Sequence, residues 1–245
     1  MTMKKPGRDN EAETIRRELQ SVSDPAKALV LARFFKTGPE DYGAGDKFHG
    51  VTAPKVHRVV KAHRSAPGRE IRKLLRSKYH EERLTALLIL VDQFRRGGEA
   101  QKKKIFDLYL ASTAQINNWD LVDLSAQHIV GACLYGRDTS VLTRLALSRS
   151  LWERRIAMLS TYHFIRRGDS HEALRIAKLL LRDSHDLIHK AVGWMLREVG
   201  KRCSLEEECR FLDEHAAAMP RTMLRYAIER FPERLRQHYL RAPRE

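Results

Sequence analysis

The chain has 245 residues, 42% of them hydrophobic, so it can bury a substantial core and is not an intrinsically disordered polypeptide. Lys and Arg number 46 against 31 Asp and Glu, and the net charge of +15 favours a polyanionic partner, with nucleic acid ahead of an anionic membrane surface. The three cysteines form no Cys-x-x-Cys pair and no apolar run approaches the roughly 18 residues of a membrane span, which excludes a disulfide framework, structural zinc and a transmembrane helix.

The N-terminal residues 1–10 are basic and polar, and we expect them to form a disordered arm. No apolar signal-peptide core precedes Leu19, so the sequence predicts a cytoplasmic protein that is not exported. Residues 11–245 are expected to form a single domain of helical repeats.

Helical periodicity begins with residues 11–35 and is interrupted once, at Asp24-Pro25. We expect Asp24 to cap a new helix that has Pro25 at its first position. The longest irregular segment, residues 37–52, is rich in Gly and Asp. No segment alternates with a period of two, so the fold class is predicted to be all-α without a sheet. The further predicted helices span residues 54–64, 69–78, 80–95, 99–112, 118–134, 138–148, 151–167, 170–182, 186–201, 204–216 and 220–230.

Five positions near the starts of apolar helices recur at a constant spacing of 35 residues: Thr85, Asp120, Arg155, Lys190 and Arg225. A period in this range is typical of stacked helical hairpins, in which each pair buries its apolar face against its neighbours. The Trp, Gly-Tyr and Pro signature of tetratricopeptide repeats is absent. We therefore predict an α-solenoid of HEAT-like repeats with a concave basic face, the alternative being an irregular helical bundle in which the spacing is chance.

The segment Asn117-Asn118-Trp119-Asp120-Leu121-Val122-Asp123 opens one of these helices. Either asparagine can act as the N-cap, and Asp120 stands where the helix dipole favours a negative charge. Asp123 falls only about 40° from Trp119 around an ideal helix, at the edge of an apolar stripe that continues to Cys133. A carboxylate in that position must be paired, neutralised or used in chemistry.

Two other helices carry a residue that breaks their pattern. Ser150 is expected to cap the 151–167 helix, and Arg155 lies within its apolar arc, where it either forms an internal salt bridge between repeats or binds phosphate. Trp194 projects from the polar side of the 186–201 helix, which fits either stacking on a ligand or packing against the next repeat.

Trp119, Asp123, Arg155 and Trp194 fall in three consecutive repeats. One concave surface could therefore present an acid, two indoles and an arginine beside basic side chains, a combination suited to a cationic purine within a phosphate backbone. A metal site is not expected, because the pair His185 and His189 has no evident third ligand.

Three segments resemble the DNA alkylation repair enzymes of the AlkD type, which are HEAT-like-repeat DNA glycosylases. They are Trp119-Asp120-Leu121-Val122-Asp123, Trp152-Glu153-Arg154-Arg155-Ile156-Ala157 and Ala191-Val192-Gly193-Trp194-Met195-Leu196-Arg197-Glu198. Weaker similarity extends upstream through Ala32-Arg33-Phe34 and residues 48–54. The resemblance thus covers most of the chain, from about residue 30 to about residue 230.

By this resemblance Asp123 is the catalytic carboxylate and Arg155 its essential companion, while Trp119 and Trp194 are the aromatic faces at the lesion. The remaining candidates for contact with substrate or DNA are Arg197, Lys190 and Phe34. The chain departs from the family pattern twice. Phe34 stands where active members carry a tyrosine, and Asn118 stands where they carry a second tryptophan.

The function implied is that of a monofunctional DNA glycosylase of base excision repair, which hydrolyses the N-glycosidic bond of N3- or N7-alkylated purines. It would need no metal or cofactor, bind double-stranded DNA with alkylated bases, and act as a cytoplasmic, nucleoid-associated monomer. Two alternatives remain. One is a non-catalytic HEAT-like protein that recognises DNA shape or branched structures, and the other is a protein-interaction scaffold whose charge serves solubility.

Overall fold

The computed structural model describes residues 10–241 and is helical along most of that range. An isolated parallel bridge joins Lys47 to Tyr79, and no strand forms among the described residues. The predicted all-α class is therefore confirmed, and the successive helix pairs are consistent with an α-solenoid of helical repeats. The predicted basic arm lies, except for Asn10, outside the described residues. No helix in the described part of the chain is long and apolar enough to cross a membrane.

The chain forms two compact units, with the boundary between Ser125 and Ala126. The single domain predicted for residues 11–245 stays a prediction. The helices of the first unit are α1 (Glu11–Ser21), α2 (Pro25–Phe34), α3 (Ala53–Ala62), α4 (Gly68–Leu75), α5 (His80–Arg96), α6 (Glu99–Leu110) and α7 (Trp119–Asp123). Those of the second are α8 (Ala132–Leu134), α9 (Ser140–Ala146), α10 (Leu151–Ser160), α11 (Tyr162–Ile165), α12 (His171–Leu179), α13 (Asp186–Arg202), α14 (Leu205–His215), α15 (Arg221–Ala227) and α16 (Glu233–Arg241).

The first unit is organised around α5, which packs against α1, α3, α4, α6 and α7. The first four residues of α5 are polar and yet buried. Glu81 accepts hydrogen bonds from the main-chain N–H groups of residues 49–51, and Arg83 donates to Asp46 at 2.6 Å. Each buried charge thus has a partner in the irregular segment before α3, and the start of α5 fixes that segment in place.

Helix α2 begins as predicted, with Asp24 accepting a hydrogen bond from the main-chain N–H of Lys27 and Pro25 in the first turn. None of its residues is fully buried. Leu29, Val30 and Phe34 are instead 68%, 64% and 60% exposed.

In the second unit α13 packs against both α10 and α15, while α9, α12 and α14 pack behind them. Arg155, Lys190 and Arg225 are each the fifth residue of their helix, α10, α13 and α15. These three positions of the 35-residue spacing therefore fall at the same point of successive packed helices. Thr85 is the sixth residue of α5 and Asp120 the second of α7, so the predicted equivalence does not extend to the helix positions of these two.

Two long helices predicted from the sequence are interrupted, and both predictions of continuous helices are wrong. The 118–134 helix stops after α7 and resumes through a π-helical turn, Gln127–Gly131. The 151–167 helix is divided into α10 and α11. At each break a hydroxyl competes for a helical carbonyl: Ser125 Oγ donates to Leu121 O at 2.5 Å, and Ser160 Oγ to Ile156 O at 2.6 Å. Such bonds bend or end helices.

The structure also adds α16, which the sequence analysis did not predict. Its signal in the sequence is Pro232 directly before the helix, a residue favoured at helix starts. Tyr239 is the buried residue of α16, and its hydroxyl donates to Asp213 of α14 at 2.8 Å.

Candidate functional site

Helix α7 carries two candidate residues in a single turn and a half. Of the two asparagines that could cap it, Asn118 does so, since its side-chain oxygen accepts a hydrogen bond of 2.9 Å from Trp119 N–H. Asn118 is fully buried, whereas the Trp119 and Asp123 side chains are half-buried. Asn118, one of the two departures from the pattern of the family that the sequence resembles, is thus a buried capping residue.

The Trp119 ring is held by phenylalanines from the end of α2. It stacks on Phe35 with ring centroids 5.3 Å apart and meets the edge of Phe34 at 5.8 Å. Phe35 in turn stacks on Phe48 at 5.3 Å and lies 4.7 Å from the His80 ring. The sequence pointed to the exposed Phe34 but not to the buried Phe35, whose ring stacks on the indole and lies closer to it.

His80, whose ring lies next to Phe35, is placed between two carboxylates. Its Nε2 lies 2.8 Å from Asp120 Oδ2, and its Nδ1 lies 3.6 Å from Asp46 Oδ2. Burial opposes protonation of His80, but the carboxylates of Asp120 and Asp46 outweigh it, so the pKa of His80 is raised. Burial likewise opposes ionisation of Asp46, yet His80 and Arg83 lower its pKa. The group is therefore a network of charges that compensate one another.

Asp123 is the last residue of α7, so the apolar stripe predicted from Trp119 to Cys133 does not exist as one continuous α-helix. It lies near Tyr109 of α6, whose pKa is raised mainly by burial and further by the charge of Asp123. The Tyr109 hydroxyl is 2.9 Å from Ser125 Oγ. Asp123 thus combines partial burial with remaining access to solvent, which suits a carboxylate that acts on a bound ligand.

Arg155 is buried, with 5% of its surface exposed. Its Nη1 donates to the main-chain carbonyl of Leu187 at 2.5 Å and so ties α10 to α13. Ser150, as predicted, caps α10 by accepting from Glu153 N–H. The sequence left open whether Arg155 joins repeats or binds phosphate, and this contact between neighbouring helices supports the first role.

Trp194 on α13 is half-buried, and its ring lies 6.0 Å from that of Tyr162 on α11. The two candidate cations on the same helix form ion pairs within the protein. Lys190 is 2.7 Å from Asp186, and Arg197 pairs with Glu229. Contact with a DNA phosphate would require these cations to exchange or share their carboxylate partners.

The candidate residues fall into two groups, one in each unit. The first unit brings together Phe34, Trp119 and Asp123 at α2 and α7. The second places Arg155, Lys190, Trp194 and Arg197 on the packed helices α10 and α13. That the two groups line one concave surface stays a prediction.

His185 and His189 have local roles. His185 Nδ1 accepts from Leu187 N–H at 3.1 Å, and His189 Nε2 bonds to the main-chain oxygen of Asp183. Within residues 10–241 no cluster of three or more His, Cys, Asp or Glu side chains is arranged to hold a metal ion.

Comparison with known proteins identifies the family. The family model described as DNA alkylation repair enzyme matches residues 15–231. The chain belongs to this family. Among solved structures, a predicted DNA alkylation repair enzyme from Enterococcus faecalis has a TM-score of 0.66 at 15% sequence identity, covering 86% of this chain and 97% of its own. That similarity shows a shared fold. No curated protein matches the sequence.

Proposed function

We propose that this protein is a monofunctional DNA glycosylase that removes N3- or N7-alkylated purines from double-stranded DNA. The observation that carries the proposal is the pairing, on the five-residue helix α7, of a half-buried indole, Trp119, with a half-buried carboxylate, Asp123. Membership of the DNA alkylation repair family supplies the context of damaged DNA. The chemistry follows from what an alkylated purine requires.

Alkylation at N3 or N7 gives the purine a positive charge, so the base leaves without needing an enzyme acid to protonate it. The enzyme must then stabilise an oxocarbenium-like sugar and position a water molecule. One carboxylate can do both, as an electrostatic partner and as a base. Asp123 is the residue proposed for this role, because its side chain is partly desolvated and remains accessible.

Discrimination between damaged and normal bases would come from charge. An indole face attracts a cationic base by roughly 0.5–2 kcal/mol more than a neutral one. Trp119, fixed against Phe35, and Trp194 are the candidates. Binding to the duplex itself would depend on the net charge of +15, with Lys190 and Arg197 contacting phosphates and Arg155 organising the surface around them.

The direct experiment is release of free bases from methylated duplex DNA by purified protein, analysed by chromatography. The proposal expects 3-methyladenine or 7-methylguanine in the supernatant and abasic sites, without strand cleavage, in the DNA. Unmethylated duplex of the same sequence is the matched control. Binding of duplex without release of any alkylated base would refute the enzymatic proposal.

The second candidate is a DNA-binding protein of the same fold that does not excise bases. The observation that favours it is the pair of departures from the family pattern, Phe34 and the buried capping residue Asn118. It predicts tighter binding to branched than to linear duplex and no base release. Competition between a four-way junction and a linear duplex of equal length distinguishes the two functions.

A further inference from the structure

Asp46, His80 and Asp120 form a charged network next to Trp119. Asp120, the residue directly after Trp119, is 9% exposed, and one of its oxygens accepts a hydrogen bond of 2.8 Å from Leu121 N–H. Its other oxygen lies 2.8 Å from Nε2 of His80, a residue forty positions earlier in the chain and 2% exposed. A five-residue helix has too few main-chain hydrogen bonds to hold its own position, so side-chain contacts must do so.

His80 reaches Trp119 by a second route, through stacked rings. The His80 ring lies 4.7 Å from that of Phe35 and 4.9 Å from that of Phe48, and Phe35 stacks directly on Trp119. The main chain of His80 is also fixed, since its N–H donates to Lys47 O at 2.8 Å. One buried imidazole thus holds both the main chain next to Trp119 and the ring on which Trp119 rests.

We infer that His80 is a positioning residue, which as an imidazolium between Asp46 and Asp120 sets the orientation of Trp119 and Asp123. The inference rests on the proposed function as far as excision is concerned. The charged groups that face His80 are Asp46 from the irregular segment, Asp120 from α7 and Arg83 from α5 itself. The imidazolium bonds Asp120 at 2.8 Å and lies 3.6 Å from Asp46. Loss of its proton leaves a neutral ring between two acids and weakens the hydrogen bond that holds α7, because a neutral donor binds a carboxylate less strongly than a charged one.

A matched control lies in the same unit. His49 is also buried, at 7% exposure, and its Nε2 lies 3.0 Å from a carboxylate oxygen of Glu82. Its ring stacks on Tyr79 at 3.9 Å. His49 therefore resembles His80 in burial, in its carboxylate partner and in its aromatic neighbour, but its carboxylate partner is on α5 and not on α7.

The experiment compares His80→Gln with His49→Gln in two measurements. In single-turnover excision of methylated DNA, His80→Gln should lower the rate per folded molecule by about 10- to 100-fold, the scale of a misplaced catalytic geometry. In 19F NMR of protein labelled with 5-fluorotryptophan, the Trp119 signal, one of three and assigned with Trp119→Phe, should shift or broaden. His49→Gln should change neither, even where the two variants lose similar thermal stability.

The NMR measurement separates this inference from the proposed function. If the wild type excises nothing, the glycosylase proposal fails, while the Trp119 signal still decides the role of His80. A titration of the wild type needs no substitution, so it decides the question if His80→Gln does not fold. The chemical shift of Trp119 should change with the protonation of His80, with a midpoint above pH 6.5, the ordinary pKa of a histidine. A Trp119 signal that does not change with pH, or equal effects of His80→Gln and His49→Gln, would overturn the inference.

Discussion

Arg155 on α10 donates a hydrogen bond of 2.5 Å to the main-chain carbonyl of Leu187 at the start of α13. A buried guanidinium that bonds to the main chain of a neighbouring helix contributes to the packing of the two helices. The chemistry expected of Arg155 by resemblance to AlkD-type enzymes is therefore coupled to the stability of the second unit. Loss of activity in an Arg155 variant can be assigned to catalysis only if stability is measured on the same preparation.

Arg155→Ala should lower the free energy of unfolding by about 1–3 kcal/mol, because it leaves the Leu187 carbonyl without its charged donor. It should also weaken DNA binding and excision. Urea unfolding monitored by circular dichroism measures the first effect. Arg149→Ala, which removes an exposed arginine from the same unit, is the control and should leave stability unchanged. A fully stable Arg155→Ala variant that has lost DNA affinity would show that Arg155 acts on phosphate alone.

Glu208 on α14 gives the second unit a pH-dependent stability. It is 2% exposed and packs against Gly200, and burial raises its pKa to about 8 against the opposing charge of Arg197. The folded state thus binds a proton that the unfolded state, with a carboxyl of ordinary pKa 4.5, releases. Stability contributed by this proton is complete below pH 4.5 and is lost as the pH rises through 8.

Glu208→Gln should therefore be more stable than the wild type at pH 9, by about 1–4 kcal/mol, with a smaller difference at pH 5. Thermal unfolding of both proteins at several pH values measures the difference in their stability. The titration of all other groups cancels in this difference. The control is Glu206→Gln, which neutralises an exposed acid on the same helix. Parallel pH profiles of wild type and Glu208→Gln would contradict the raised pKa.

DNA affinity should fall steeply with salt and depend little on sequence, because cations supply it through phosphate contacts. In a plot of log affinity against log salt concentration, Lys190→Ala should reduce the magnitude of the slope by about 1. Arg210→Ala is the control, since Arg210 forms an ion pair four residues from its partner Glu206, as Lys190 does with Asp186. Fluorescence anisotropy over a range of salt measures both slopes. Equal slopes for wild type and Lys190→Ala would exclude Lys190 from the interface.

The sequence predicted the helical class, and most helix starts, because these depend on residues close together in the chain. Asp24 and Ser150 cap helices through main-chain groups three residues away, and the sequence alone identified both. The 35-residue spacing likewise identified three equivalent positions in α10, α13 and α15, since each repeat reproduces the same local pattern.

What the sequence did not predict depends on contacts between distant residues. The partner of Asp120 is His80, forty residues earlier, and the ring under Trp119 is Phe35 from α2. The hydroxyl of Ser125, which bonds to Leu121 O at the end of α7, is a local signal that is weak by itself. The same hydroxyl also contacts Tyr109 on α6. Helical periodicity contains no information on such pairs. It therefore predicted a continuous stripe where the structure has a short helix and a π-helical turn.

Asp123 is proposed to stabilise the oxocarbenium-like sugar as the alkylated base leaves, and the Asp123→Asn variant tests this role. The substitution keeps the size of the side chain and removes its charge. Single-turnover excision of 7-methylguanine should fall by roughly two orders of magnitude or more, the scale of losing a preorganised electrostatic partner. Melting temperature and affinity for undamaged duplex should stay near those of the wild type. Asp107→Asn, which neutralises an exposed acid of the same unit, should excise at the wild-type rate.

If Asp123 serves only the structure, its Asn variant should lose thermal stability and retain its rate per folded molecule, since breaking a buried charge pair typically costs about 3–5 kcal/mol. Excision and melting are therefore measured on one preparation of each protein. The proposed role of Asp123 predicts a slow, stable Asp123→Asn variant, and an unchanged excision rate would contradict that role.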